Sequence, residues 1–109
     1  MTALNEARHT AEFIISEDDG HISRESLPAG GTLKAGEVVK ITSNALVSYN
    51  GTGTVVGVAI NAAEDGDLVA YVARLAEVNG NMLTSTEATD GLLDAGALAG
   101  LATLHIIVR

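Results

Sequence analysis

The sequence predicts a compact, mainly β domain with one short helix near its C-terminus. Three observations carry that prediction. Turn-forming clusters recur about every 8–12 residues between apolar, β-favouring runs. One of those runs, residues 55–62, alternates with a period of two. Beyond residue 84 the apolar spacing changes to threes and fours, the repeat of a helical face. The chain has 109 residues, which suits a single domain. At that size roughly 65% of the surface of the unfolded chain is buried on folding, a sufficient core but a lean one.

Residues 1–11 are polar or small and show neither strand nor helix periodicity. They read as an arm that is disordered alone, because they bury too little apolar surface to offset the entropy of ordering. The plainer alternative is a frayed terminus with no role. Residues 12–109 then form the domain. Its β structure begins at Glu12-Phe13-Ile14-Ile15-Ser16 and stops at Glu17-Asp18-Asp19-Gly20, where Asp and Gly supply turn geometry. The stretch from His21 to Ser26 reads as an extended continuation. Leu27-Pro28-Ala29-Gly30-Gly31 holds the only Pro and a Gly pair, a strong punctuation mark.

Thr32 to Gly36 leads into a strand over Glu37–Thr42, and a further short strand spans Leu46–Asn50 before the turn Gly51-Thr52-Gly53. In the alternating run, Val56, Val58, Ile60 and Ala62 share the face assigned to the core. Val55, Gly57, Ala59 and Asn61 share the other face, and the small residues there predict a surface that is covered or closely approached. Glu64-Asp65-Gly66-Asp67 makes the next turn. The β-rich stretch Leu68–Val78 ends at Asn79-Gly80, two residues that adopt positive φ cheaply. Thr84 and Glu87 have the spacing of a capping box. Behind them Ala88, Leu92, Ala95, Ala99 and Ala102 fall on one helical face. Leu93, Leu98 and Leu101 fall elsewhere, so the helix is apolar nearly all round, and a second subunit is a plausible cover. Gly91, Gly96 and Gly100 count against it, at about 0.8–1 kcal/mol each relative to Ala. Leu104–Arg109 closes the chain as an expected buried strand.

Composition narrows the function. The chain is 47% hydrophobic and 3% aromatic, and its 14 acidic residues against 6 basic ones give a net charge of -8. Without a basic field or stacking rings, nucleic-acid binding is not expected. The absence of Cys excludes disulfides and thiolate metal sites and suits a reducing cytosol. The first ten residues contain no apolar core of the kind a secretion signal needs. The clearest apolar run, Val55–Ile60, is far shorter than the ~20 residues of a membrane span, so no membrane partner is expected.

No catalytic constellation emerges. The acidic clusters at 17–19 and 64–67 lack the alternating ligands and distal Glu of a Ca²⁺ loop and read as solvated turns. His9, His21 and His105 are far apart, with no helical pair among them. Ser16, Ser23, Ser26 and Ser43 lie outside any nucleophile-elbow motif. Gly30-Gly31 and Gly51-Thr52-Gly53 are not followed by helices and are not phosphate loops. The residues point to a domain that makes contacts, with no catalytic residue, metal or cofactor.

Three stretches, in order, resemble the head decoration (capsid-stabilising) proteins of tailed bacteriophages and prophages, the family related to the small decoration protein of phage lambda. The first is Glu12-Phe13-Ile14-Ile15-Ser16-Glu17 with Ser23-Arg24-Glu25. The second runs from Gly31 through Thr32-Leu33-Lys34-Ala35-Gly36 to Glu37-Val38-Val39, with Gly57-Val58-Ala59-Ile60 downstream. The third is Ala76-Glu77-Val78-Asn79, the capped helix, and the terminal Ile106-Ile107-Val108-Arg109. Two departures are the glycines of the helix, where Ala is expected, and His105, at a position that is usually small.

The resemblance implies a β-clip-like domain that assembles as a homotrimer. It implies docking on the major capsid protein at three-fold positions of the expanded head, which resists internal DNA pressure as a result. The arm would make the capsid contact through Thr2, Ala3, Leu4, Asn5, Glu6, Ala7, Arg8, His9, Thr10 and Ala11. Glu12, Phe13, Ile14 and Ile15 would join it to the body. The protein would be made in the host bacterial cytoplasm and reside on the outer capsid surface of the virion. Two other readings remain open: a ligand-binding β-domain or small enzyme using Asp18, Asp19, Asp65 and Asp67, and another virion component such as a tail or tube subunit.

Overall fold

In the computed structural model, which describes residues 11, 13–18, 20–85 and 93–109, the apolar runs fold into eight strands and two helices. These are β1 (Ile14–Glu17), α1 (Gly20–Ser23), β2 (Arg24–Pro28), β3 (Val38–Thr42), β4 (Ala45–Ser48), β5 (Val55–Ala59), β6 (Leu68–Val72), β7 (Ala76–Val78), α2 (Ala95–Thr103) and β8 (Ile106–Val108). The mainly β class with a C-terminal helix is the one the sequence predicts. Five strands form one sheet in the order β2-β6-β5-β3-β4, and three form another in the order β1-β7-β8. All pairings are antiparallel except β7 with β8.

The larger sheet curls until its end strands meet. Ala29, just after β2, bridges Leu46 of β4, and the Gly30 N–H donates to the Leu46 carbonyl at 2.7 Å. Ser43 and Asn44 form the tight β3–β4 connection with φ of 51° and 63°. Left-handed geometry at both positions matches the twist of a two-residue hairpin.

The covered second face expected of the alternating run is present. Val55 and Val58 belong to the main core with Phe13, Val38, Ile60, Val72 and Leu101. Ala59 belongs to a second cluster with Val39, Leu46, Val69 and Tyr71, and Val56 packs against it. The strict alternation does not hold, however. Val38 pairs with Val58 and Val39 with Gly57, but Lys40 pairs with Val55. Val56 is therefore the extra residue of a bulge, which exchanges the faces of Val55 and Val56. Gly57 sits at this irregularity with φ of 154°, and a Cβ there would lie 2.0 Å from the Val72 carbonyl oxygen. Only glycine fits.

The helix differs from expectation in its start and its buried face. Its N-cap is Asp94, whose carboxylate accepts from the Ala97 N–H at 3.2 Å and from the Ser85 hydroxyl. Thr84 instead bridges Glu37, its carbonyl accepting from the Val38 N–H at 2.8 Å. Glu87, Ala88, Gly91 and Leu92 lie outside the described residues. Ala97 and Leu101 face the core, whereas Ala95, Ala99 and Ala102 are exposed. The glycines explain the choice of face. A Cβ on Gly100 would lie 2.7 Å from the Val55 side chain, and one on Gly96 would lie 3.0 Å from the Tyr49 hydroxyl. Gly100, which disfavours a helix in isolation, lets α2 lie directly against β5, and Gly96 lets it approach Tyr49.

Other expectations shift locally. Residues 20–23 form a helical turn rather than an extended segment. Asn79 does not begin a two-residue hairpin; it caps a short 3-10 turn, Gly80–Met82. The last strand is not fully buried, since Ile106 is inside while Ile107 is 51% exposed. In ordinary helices Gly→Ala is stabilising. Here Gly100→Ala should lower the unfolding free energy by about 1–3 kcal/mol, the usual cost of overpacking, as read from urea titration.

Candidate functional site

The expected arm meets the body at the start of β1. Thr2 to Thr10 and Glu12 lie outside the described residues. Ala11 donates its N–H to the Ile60 carbonyl at 3.0 Å and accepts from the Ile14 N–H through its own carbonyl. Its φ of 62° turns the chain sharply there. Phe13, the only Phe, is 1% exposed and heads the fully buried side chains by size. Its burial is worth about 1.5–3 kcal/mol, and its carbonyl accepts from the Asn79 N–H at 2.8 Å. Ile14 packs against the same core. Ile15 is the bulged residue of β1, between the paired Ile14 and Ser16, and is 54% exposed. The junction residues Phe13, Ile14 and Ile15 therefore divide into two that anchor and one that faces outward.

The outer face of the three-stranded sheet continues that exposed surface. Ser16, Glu77 and Ile107 lie in one row. The Glu77 carboxylate accepts from the Ser16 hydroxyl at 3.2 Å and from Arg109 Nε at 3.0 Å. Leu75 and Ile107 leave apolar surface beside it. Leu75 and His105 both have left-handed backbone, with φ of 57° and 59°. They introduce β7 and β8 side by side, and the Ala76 N–H donates to the His105 carbonyl.

At the far end of β1, Glu17 closes a polar clasp. Arg24 Nε donates to both Glu17 carboxylate oxygens at 3.0 Å, and the buried Ser23 hydroxyl donates at 2.7 Å. The hydrogen bond from Arg24 lowers the Glu17 pKa; partial burial opposes that shift and the Ser23 bond assists it. A neighbouring ion pair joins Arg74 to Glu25, with Arg74 also on the Ile22 carbonyl. Glu17 and Arg24 both belong to the first resembling stretch, but their spacing in the sequence gives no sign of the clasp.

The structure does not bring the acidic turns together. Asp18 lies beside Leu75, to whose carbonyl its N–H donates. Asp65 and Asp67 belong to the turn beside Ala29, where the Ala29 N–H donates to the Asp67 carbonyl. The β2–β6 ladder separates them, since Arg24 pairs with Val72 at one end and Pro28 with Leu68 at the other. Four residue steps span about 13 Å. Asp19 is outside the described residues. The depression beside Asp18 and the one beside Asp67 are separate. Among the described residues no three His, Asp or Glu side chains converge as a metal site would require. His9 and the side chain of His21 are not described, and no described helix is long and apolar enough to cross a membrane.

Residues 3–106 match the family described as Bacteriophage lambda head decoration protein D. No curated protein matches the chain.

The Glu17 clasp should make stability pH-dependent. Because the folded pKa is below the unfolded one, its contribution is complete above the ordinary glutamate value, about 4.3, and is lost as pH falls through the lower folded value. Glu17→Gln should therefore lower Tm at pH 7 and flatten the fall in Tm below about pH 4.3. Thermal unfolding of both proteins across the acid range measures this.

Proposed function

The chain belongs to the Bacteriophage lambda head decoration protein D family, and on that premise we propose that it docks as homotrimers at three-fold positions of the expanded head and holds the shell against the pressure of packaged DNA. The family is one of structural phage capsid proteins, and decoration of the phage capsid is accordingly the role of this chain. The partner in this reading is the major capsid protein, met on the outer surface of the head. Synthesis takes place in the host bacterial cytoplasm, from a phage or prophage genome.

The observation that carries this reading is the anchoring of Ala11 and Phe13. Residues on the N-terminal side of Ala11 leave a root fixed by a buried aromatic ring and two backbone hydrogen bonds. An extended segment leaving such a root can add to an exposed sheet edge, with main-chain hydrogen bonds supplying affinity and alternate side chains specificity. That mode works with an undistinguished sequence such as Thr2 to Thr10. Three arms on one trimer convert a weak contact into a strong one, because the second and third bind at high effective concentration.

The rival reading, a ligand pocket built from turn carboxylates, needs convergence of polar groups. The ~13 Å separation of the two turns along the β2–β6 ladder weighs against it. A tail or tube subunit has no specific observation in its favour.

Two measurements test the proposal. Deleting residues 2–10, which spares the anchored Ala11, should leave Tm within a few degrees of the parent and abolish co-sedimentation with expanded heads. Full occupancy by the deleted protein would refute the arm mechanism. Alanine at Asp18, Asp19, Asp65 and Asp67 together should leave head binding unchanged, and loss of that binding would point to the carboxylates instead.

A further inference from the structure

Between α2 and β8 the surface carries a second feature suited to receiving a strand. The His105 carbonyl and the Arg109 N–H both bond to β7. Backbone groups alternate sides along a strand, so those of Ile106 and Val108 face away from β7. β8 is the end strand of its sheet, and among the described residues nothing pairs with that edge. Two adjoining depressions, of about 410 and 390 Å³, lie along it and share Leu98 and Val108. Their walls are apolar on the helix side, at Leu98 and Ala102, and on the strand side, at Ile107 and Val108. Leu98 is 40% exposed and Ile107 51% exposed.

The charge pattern is unusual for this chain. In a protein of net charge -8, no Asp or Glu among the described residues lines either depression. Covering the α2 side of the edge desolvates no described Asp or Glu side chain, which would otherwise cost several kcal/mol, while Glu77, beside Ile107 on the outer face, keeps its bonds to Ser16 and Arg109. The position is equally specific. Ile14, Val78 and Val108 lie in one row across the three strands, so the open end of the groove is two strand spacings, about 10 Å, from the root of the arm. A Cβ on Gly80 would lie 2.7 Å from Val108, and this glycine lets the 3-10 turn sit close beside the end of the groove.

We propose that the free edge of β8, with the α2 groove beside it, accepts an extended apolar segment of the major capsid protein as an added strand. This rests on the decoration reading and adds a second contact, in which the body receives a strand from the shell instead of lending one. A capsid surface reached by the arm lies within reach of the groove as well. The incoming strand would place alternate side chains against Leu98 and Ala102 on one side and Ile107 on the other. Its backbone would bond the Ile106 and Val108 groups.

The test uses the full chain and expanded, undecorated heads of the phage that encodes it. Val108→Pro removes an edge-facing N–H while leaving the β7 bonds of residues 107 and 109, and Leu98→Glu puts a carboxylate on the groove wall. Each variant is first compared with the parent for Tm and for oligomeric state free in solution. With both unchanged, half-saturation of heads should require at least about tenfold more protein, since one net hydrogen bond approaches that factor and is repeated in each copy. Cryo-electron microscopy of decorated heads should show capsid density continuing the sheet beside β8. If Val108→Pro does not fold, Leu98→Glu alone decides the question. Parental binding by the variants, with loss of binding on deleting residues 2–10, overturns the groove and leaves decoration standing. Loss of solution oligomer or of Tm in Leu98→Glu overturns it differently, because the groove then belongs to a second copy or to the chain's own residues. Failure of the parent itself to bind heads removes both readings.

Discussion

The architecture depends on covering β5 from both sides. Val58 and Ala59 are adjacent and point in opposite directions, yet both are completely buried. A strand with apolar clusters on each face needs neighbours above and below. In this chain they are α2 with the three-stranded sheet on one side, and the curled remainder of the larger sheet on the other. The tolerance is small. Gly57 leaves no room for a methyl group against β6, and Gly100 leaves none against Val55. With few large aromatic side chains available, close backbone approach replaces bulk as the way to fill space.

That packing positions the outer surface. Once α2 is seated on the core through Ala97 and Leu101, with Gly100 against Val55 of β5 and Gly96 against Tyr49, the short turn at Leu104 and His105 leaves little choice about where β8 runs. β8 then lies parallel to β7, and β7 in turn holds β1, whose first residues carry Phe13 into the common core. The surface with the exposed Ile15, Ile107 and Leu98 is thus the outward side of the same layer whose inward side closes the core. Alteration inside should be felt there.

Much of this was legible in the sequence, for physical reasons. Strand runs such as Val38–Thr42 and Val55–Ala59 announce themselves because β-branched residues between turn clusters have few alternatives. The small residues of the 55–62 run correctly signalled a covered second face. The bulge at Val56 was not legible, because a one-residue slip depends on the partner strand and leaves no mark in a period-two pattern. The helix is legible in its spacing, but its inner face is not. Alanine spacing points to Ala95, Ala99 and Ala102, whereas Ala97 and Leu101 are buried, with Gly96 and Gly100 approaching Tyr49 and Val55 beside them. The clasp at Glu17 joins side chains six and seven residues apart through an intervening helical turn, a geometry that composition does not encode. The groove at β8 was foreshadowed only by the excess of apolar residues around the helix.

The seam at Ala29 and Leu46 bears on how such a subunit behaves when it is abundant. A five-stranded sheet with two open ends would invite copies to join end to end without limit, a route to fibres. Here the two ends meet each other, and Pro28 at the end of β2 removes one donor from the seam. Among the described residues, the small sheet has no such seam, and β8 remains its end strand. Growth in one dimension is thereby denied to the larger sheet. What remains adhesive is directional, as befits a part that should join a finite shell and stop.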